Sequence, residues 1–441
     1  MRKTIKIMVA LLFASTTSGS IVACTNPFSD SNIFRITIVT DGHTITDHSF
    51  NESSYQGALK FKSSFEAWVA DASSTAPDEL RNKKVVITPI QPATTDLNTL
   101  LSSYGQAVVM DSKVTIASGS IQSSALVAAQ NGFLKDRMRY IYVDGDTPNK
   151  DVSYQNKNLA GLLYKAEQAG LMAALAAESW LIAHAQEYGG YGNLKMSTYG
   201  GLNIPAVTNY MYGFYWGIQL LNNSEDSSPI ISEIKSWIKD LNPDFDDSQP
   251  VPKIGFVELP NQFTNNFDQA SSESKSVNSL LVENGANIIF PVAGPQTSDT
   301  LSAIQSKRKN YKVIGVDTDQ ALQYTESADY FLTSALKDIS NSVDYMLWRA
   351  INYDETPAHG ELPVGEQDKV FKEDALNRGF EEKFIGIADN KAISPIYNKV
   401  ISSPELTKAG GFIEKVSEGW QKVLDHNGDY WIYGKTINPF E

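Results

Sequence analysis

The sequence predicts an α/β protein built as two doubly wound lobes of parallel sheet with a ligand cleft between them. Three observations predict it. At 441 residues the chain exceeds what one hydrophobic core ordinarily serves. Short β-rich runs alternate with helix-period stretches in two successive series. Polar residues gather directly after the strands, where doubly wound sheets bind ligands.

The first 23 residues read as a signal peptide. "MRKTIK" is a cationic start, and "IMVALLFA" is an apolar stretch too short to cross a bilayer. Small polar residues lead to "IVAC", whose Cys24 is the sole cysteine, so no intramolecular disulfide can form. A lone cysteine at that point is the pattern of a bacterial lipoprotein, in which the thiol carries the lipid. A plain secretory signal with a chance cysteine is the alternative. Residues 24–33 are then a polar tether holding the body at the extracytoplasmic face of the cell membrane. No later stretch reaches the roughly 18 apolar residues of a transmembrane helix. "LMAALAAESWLIAHA" is interrupted by Glu178 and His184 and reads as a buried helix.

The first series runs "FRITIV", a helix through Tyr55, Leu59, Phe65 and Trp68, "KVVITPI", "TDLNTLLSSYG", "KVTIAS", "IQSSALVAAQ" and "RYIYVDG". The second begins with the helix "AEQAGLMAALAAESWLIAHA" and the strand "LKMSTYG", followed by the aromatic helix "AVTNYMYGFYWGIQLL". Residues 222–250 are acidic and rich in turn formers, and are expected to be a surface insertion. "KIGFVEL", "ANIIFPVAG", "YKVIGVDTDQ" and "DYFLTSALK" resume the strands, with helices between and after them. Beyond residue 360 the rhythm loosens, until a last helix in "AGGFIEKVSEGWQKVLDHNG".

The formal net charge is −14, and removal of the signal peptide with its three cations would leave −17. No basic stripe offsets it, so a nucleic acid is not expected as a partner. The chain lacks G-x-S-x-G, G-x-x-x-x-G-K-S/T, a strand-linked G-x-G-x-x-G and H-E-x-x-H. Asp41, His43, Asp47 and His48 lie close together but without metal-ligand spacing, and a solvated loop is the expectation. No metal, cofactor or catalytic residue is assigned.

The strand-end residues suit binding instead. Phe50 offers an aromatic face to a planar ligand. Asp317 can accept from vicinal hydroxyls, and Lys337 can donate to the same group. A helix cap and a surface lysine are the alternatives for these two.

"VTDGHTITDHSFNESSYQG", "YKAEQAGLMAALAA", "GGLNIPAVTNYMYGFYWG", "GANIIFPVAG", "VIGVDTDQ" and "LTSALK" resemble, in order and spacing, the basic membrane protein family of ABC-transporter substrate-binding lipoproteins, which includes the purine nucleoside receptor type. The resemblance covers most of residues 34–400. It implies a type I periplasmic-binding-protein fold. One lobe would comprise 34–150 and about 337–385, the other 151–336 and the tail, about 386–441. It implies that Phe50 and a second ring, Phe267 or else Phe263, sandwich a base. It further implies that Gly294, Asp317 and Lys337 hold ribose, that Asp41 reads the base, and that Asn51 serves the same loop. Ser124 stands where the family often carries a base-contacting aspartate, so one acceptor for base N–H groups is missing. A monomer binding a purine nucleoside and delivering it to an ABC permease and its ATPase subunits is the function implied. The same fold with a sugar or another metabolite, a surface nucleoside hydrolase using Asp317 and Asp319, and an adhesin are the alternatives.

Overall fold

The computed structural model describes residues 28, 30–47, 49–132, 134, 137–145, 159–351, 376–426 and 428–441. Cys24, His48 and most of the expected tether lie outside the described residues.

Two six-stranded sheets carry the chain. The first holds β1 (Ile33–Val39), β2 (Lys84–Ile90), β3 (Val114–Ser118), β4 (Arg139–Val143), β5 (Leu159–Tyr164) and a late strand, β11 (Leu376–Arg378), in the order β2-β1-β3-β4-β5-β11. All its pairings are parallel. The second holds β6 (Lys195–Gly200), β7 (Gly255–Phe256), β8 (Ile288–Val292), β9 (Lys312–Asp317), β10 (Phe331–Lys337) and β12 (Ile385–Ile387), ordered β7-β6-β8-β9-β10-β12. Only β12 runs antiparallel, against β10. Each sheet reverses direction of growth at its centre, between β1 and β3 and between β6 and β8. In doubly wound sheets that switch point is where ligands bind.

The central strands are continuous buried runs, "VTIAS" in β3 and "IIFPV" in β8, because helices cover both faces. In the first lobe α1 (Phe50–Ala70) packs against α10 (Ile339–Ala350), where Phe61 meets Trp348 edge-on at 5.2 Å. In the second lobe α4 (Ala166–Ala183) packs against α5 (Pro205–Asn223) almost backbone to backbone. A Cβ on Gly213 would stand 1.8 Å from the Glu167 carbonyl oxygen, so glycine is required there. This close approach seats Tyr210, on the same turn of α5, beneath the cleft.

The chain passes between lobes three times: at Lys165 between β5 and α4, at Asp338 between β10 and α10, and over 379–384 between β11 and β12. Three crossings define the type I arrangement of two lobes. The first boundary differs from the expected one at residue 150. β5 pairs with β4, so residues 159–164 belong to the first sheet. β10, ending at Lys337, belongs wholly to the second.

Residues 222–250 are not a surface insertion. They contain α6 (Pro229–Leu241), whose Ile230, Ile231, Ile234, Trp237 and Ile238 are buried against α4 and a helix at Ser394–Ile401, here α11. That spacing puts one apolar stripe on a helix, and the flanking acidic turns concealed it. "KIGFVEL" yields only the two-residue β7 at the sheet edge. The tail continues through α12 (Pro404–Thr407), α13 (Phe412–Leu424) and α14 (Tyr430–Thr436); α13 docks on α4 and α5, and α14 on α5. Trp216 Nε1 donates to the Gly434 carbonyl at 2.6 Å. No helix among the described residues is long and apolar enough to cross a membrane.

Glu178, mid-way along α4, is fully buried, and neither carboxyl oxygen has a hydrogen-bond partner among the described residues. Burial holds its pKa well above the ordinary 4.5. The raised folded-state value means its penalty is absent below that ordinary value and grows as pH rises towards the folded one. Glu178→Met should therefore stabilise the protein by about 1–3 kcal/mol at neutral pH, with a smaller gain in acid. Urea titrations of both proteins check this.

Candidate functional site

The ends of β1, β3, β6, β8 and β9 converge on a cleft of about 2360 Å³ between the lobes. Asp41, Phe50, Phe267, Gly294, Asp317 and Lys337 all line it. The cleft continues past Lys165 and Phe380 towards α13, which makes it larger than the roughly 300–1,000 Å³ of an ordinary ligand pocket.

The loop after β1 is organised by hydrogen bonds. Asp47 caps α1, accepting from the backbone N–H groups of Ser49, Asn51 and Glu52 at 3.0, 3.1 and 3.1 Å. A carboxylate at a helix N-terminus satisfies unpaired donors and the helix dipole. Asn51 Nδ2 donates to Asp41 at 2.7 Å and to Asp47 at 2.8 Å. Asn51 is fully buried and outside the cleft lining, beneath the Asp41 carboxyl that it bonds. Asp41 also accepts from His43 Nδ1 at 3.0 Å. Burial pushes the Asp41 carboxyl up, but the His43 and Asn51 contacts outweigh it and hold it below its usual range. His43 is shifted up, first by its bond to Asp41 and against the effect of burial. These residues form a helix start and an ion pair, and no group of three or more metal-ligating side chains occurs among the described residues.

Phe50 opens α1 and faces the cleft from the first lobe. Phe267 faces it from the second, its ring packed over Gly201, where a Cβ would lie 2.3 Å from Cε1. Phe263 is buried in the core beside Gly200 and does not line the cleft. Of the two alternatives for the second ring, Phe267 lines the cleft and Phe263 does not. Ser124 is exposed on α3 (Ser123–Asn131) and lies outside the lining, whereas Ser120 and Ser123 are in it. One residue along a helix turns about 100°, which carries Ser124 away from the cleft.

Asp317 ends β9 in the left-handed region, with φ of +64°. Its carboxyl accepts from Ser49 Oγ and Tyr210 Oη, each at 3.3 Å, and lies 3.9 Å from Lys337 Nζ. Burial pushes its pKa up to about 6, against the pull of Lys337. Lys337 is 3% exposed, so it is no surface lysine. It pairs with Asp144, which follows β4 in the other lobe. Asp319 caps the short helix α9 (Gln320–Gln323) through the Ala321 N–H and lies outside this cleft lining. It is not placed as a second catalytic carboxylate beside Asp317.

Gly294, with φ of +51°, brings the β8 turn against the first lobe, where a Cβ would meet Ser49 Oγ at 3.0 Å. Polar contacts join the lobes across the cleft, among them Ser49 to Asp317, Lys337 to Asp144, His43 Nε2 to Asp268 at 3.7 Å, and Asn209 Nδ2 to the Tyr164 carbonyl at 3.2 Å.

Asp144, Tyr210 and Ser49 escaped the reading of the sequence. Asp144, in "YVDG", follows a strand just as Asp317 does in "GVDTDQ", and that position was the available signal. Tyr210 sits in an aromatic helix where nothing distinguishes it from core residues.

Two α/β lobes, three crossings and a polar, aromatic-flanked cleft at both switch points define a type I solute-binding protein. The chain belongs to the PnrA-like family of ABC transporter substrate-binding proteins, whose model matches residues 34–227 and 257–407. It is 23% identical over 368 residues to the lipoprotein MG040 homolog of Mycoplasma pneumoniae, covering 71% of this chain and 55% of that one. It is 21% identical over 366 residues to basic membrane protein A of Borreliella afzelii, covering 83% and 86%. The chain spans about half the length of the Mycoplasma relatives that it matches. An ABC-transporter solute-binding protein from Aeropyrum pernix shares the fold, with a TM-score of 0.55 at 16% identity, over 92% of this chain and 90% of that one.

Proposed function

We propose that this substrate-binding protein takes a neutral nucleoside, with purines preferred, and hands it to an ABC permease and its ATPase subunits. The observation that carries the reading is the pairing of two aromatic rings from opposite lobes, Phe50 and Phe267, with a half-buried Asp317 in one cleft. A planar base suits the rings, and a vicinal diol suits a carboxylate that has only long hydrogen bonds to protein donors. Ser49, Gly294 and Asp41 complete the wall around them.

The relatives named lipoproteins support an anchor at Cys24. A diacylglyceryl group supplies the two chains needed for stable attachment. Cys24→Ser should then move the protein from the membrane to the soluble fraction, and unchanged detergent partitioning would contradict the anchor.

A ligand that binds only the folded state raises the melting temperature, by about 2.7 kcal/mol of stabilisation at a hundredfold excess over Kd. Adenosine or inosine should raise it measurably, and free ribose should not. A shift with ribose or arabinose and none with any nucleoside would favour a sugar carrier on the same fold.

A further inference from the structure

Lys337 is the cation of the clamp, yet its ammonium is fully engaged. Nζ donates to the two carboxyl oxygens of Asp144 at 3.1 and 3.0 Å and to the Ala206 carbonyl at 3.0 Å. Those bonds use all three donors of an ammonium. Its remaining neighbours are Asp317 and the face of Tyr210, whose centroid lies 4.7 Å away. One buried cation therefore stands between two carboxylates supplied by different lobes.

The backbone marks both carboxylates as built features. Asp144 has φ of +61° and Asp317 φ of +64°, a region that residues other than glycine seldom occupy. Strain of that kind persists where the surroundings fix it, and it gathers at ligand sites. A second cation of the cleft repeats the pattern: His43 is bonded to Asp41 and faces Asp268. Lys337 and His43 are thus each held by a carboxylate, while Lys165, the cation at the first crossing, lines the cleft beside Gly379.

We propose that Asp144 is a specificity-determining residue, which keeps the Lys337 charge neutralised and so excludes anionic ligands from the cleft while admitting neutral ones. A phosphate or carboxylate brought beside Asp317 would find the nearest cation, Lys337, already neutralised, and like charges in a partly desolvated cleft repel strongly. Asp144 would act through Lys337 and the local field, with no need to touch the ligand. The inference rests on the neutral-nucleoside reading above and adds the residue that enforces neutrality.

The test is calorimetric titration of the protein, Asp144→Asn and Asp144→Glu with adenosine and with AMP. Asparagine keeps an acceptor for Lys337 but removes the charge. The preference for adenosine over AMP should fall about tenfold or more in Asp144→Asn, chiefly through tighter AMP binding, as expected for one unit charge removed a few ångström away. Asp144→Glu should keep the preference. An unchanged preference in Asp144→Asn, with adenosine still bound, would overturn the Asp144 assignment alone. Loss of adenosine binding in Asp144→Asn at an unchanged melting temperature would make Asp144 a structural residue and overturn it too. Absence of adenosine binding by the unmutated protein would remove the nucleoside reading itself, and this inference with it.

Discussion

Lys337→Met is expected to cost about 3–5 kcal/mol of stability at neutral pH, because breaking a buried ion pair from one side leaves charge uncompensated. Here two carboxylates would be stranded, since Asp144 and Asp317 both face Nζ. Burial already raises both of their pKa values above the ordinary 3.8, Asp317 to about 6, and loss of the lysine removes the opposing pull. A carboxyl with a raised folded-state pKa costs nothing below its ordinary value, and its penalty grows as pH rises from there to the folded value, which loss of the lysine moves higher. The deficit should therefore be small at about pH 5 and full at about pH 8. Denaturant titrations at the two pH values measure it. An equal deficit at both would contradict the ion-pair account.

Phe50→Ala and Asp317→Ala should each weaken nucleoside binding strongly. Removing Asp317 loses charge-assisted bonds to the ribose hydroxyls, about 1.5–3 kcal/mol, which is roughly a ten- to hundredfold loss of affinity. Its three protein neighbours stand at 3.3, 3.3 and 3.9 Å, long enough for a ligand hydroxyl to compete for the carboxylate. Removing the Phe50 ring takes away one wall of the aromatic slot, with a similar or larger loss expected from stacking and buried area together. Affinity within about threefold of the unmutated protein for either variant, under 1 kcal/mol, would remove that residue from the proposed site.

The alternation of strand and helix was legible because buried parallel strands are continuous apolar runs, as in "VTIAS" and "IIFPV". β5 was not, because "LAGLLY" has no β-branched residue and leads into an Ala-rich helix. α6 was hidden for the opposite reason: its apolar stripe is strong, but Asn, Ser and Asp on both sides imitate a loop. At the site, strand-end position pointed to Asp317 and Lys337 and the family resemblance to Asp41 and Gly294, and all four line the cleft. Asn51 and Ser124 were expected to meet ligand, whereas helix register buries the first beneath Asp41 and turns the second to solvent. The Lys337–Asp144 pair joins residues 193 positions apart on two sheets. Spacing along a chain carries no trace of such a contact.

Titration calorimetry with adenosine, guanosine, inosine, uridine and AMP tests the central claim most directly. A neutral purine nucleoside should bind best, since the larger bicycle covers more of the Phe50 and Phe267 faces than a pyrimidine does. Uridine should follow, and AMP should bind far more weakly than adenosine. Tighter binding of AMP than of adenosine, or heat from none of the nucleosides, would contradict the proposed function and leave the family and its fold standing.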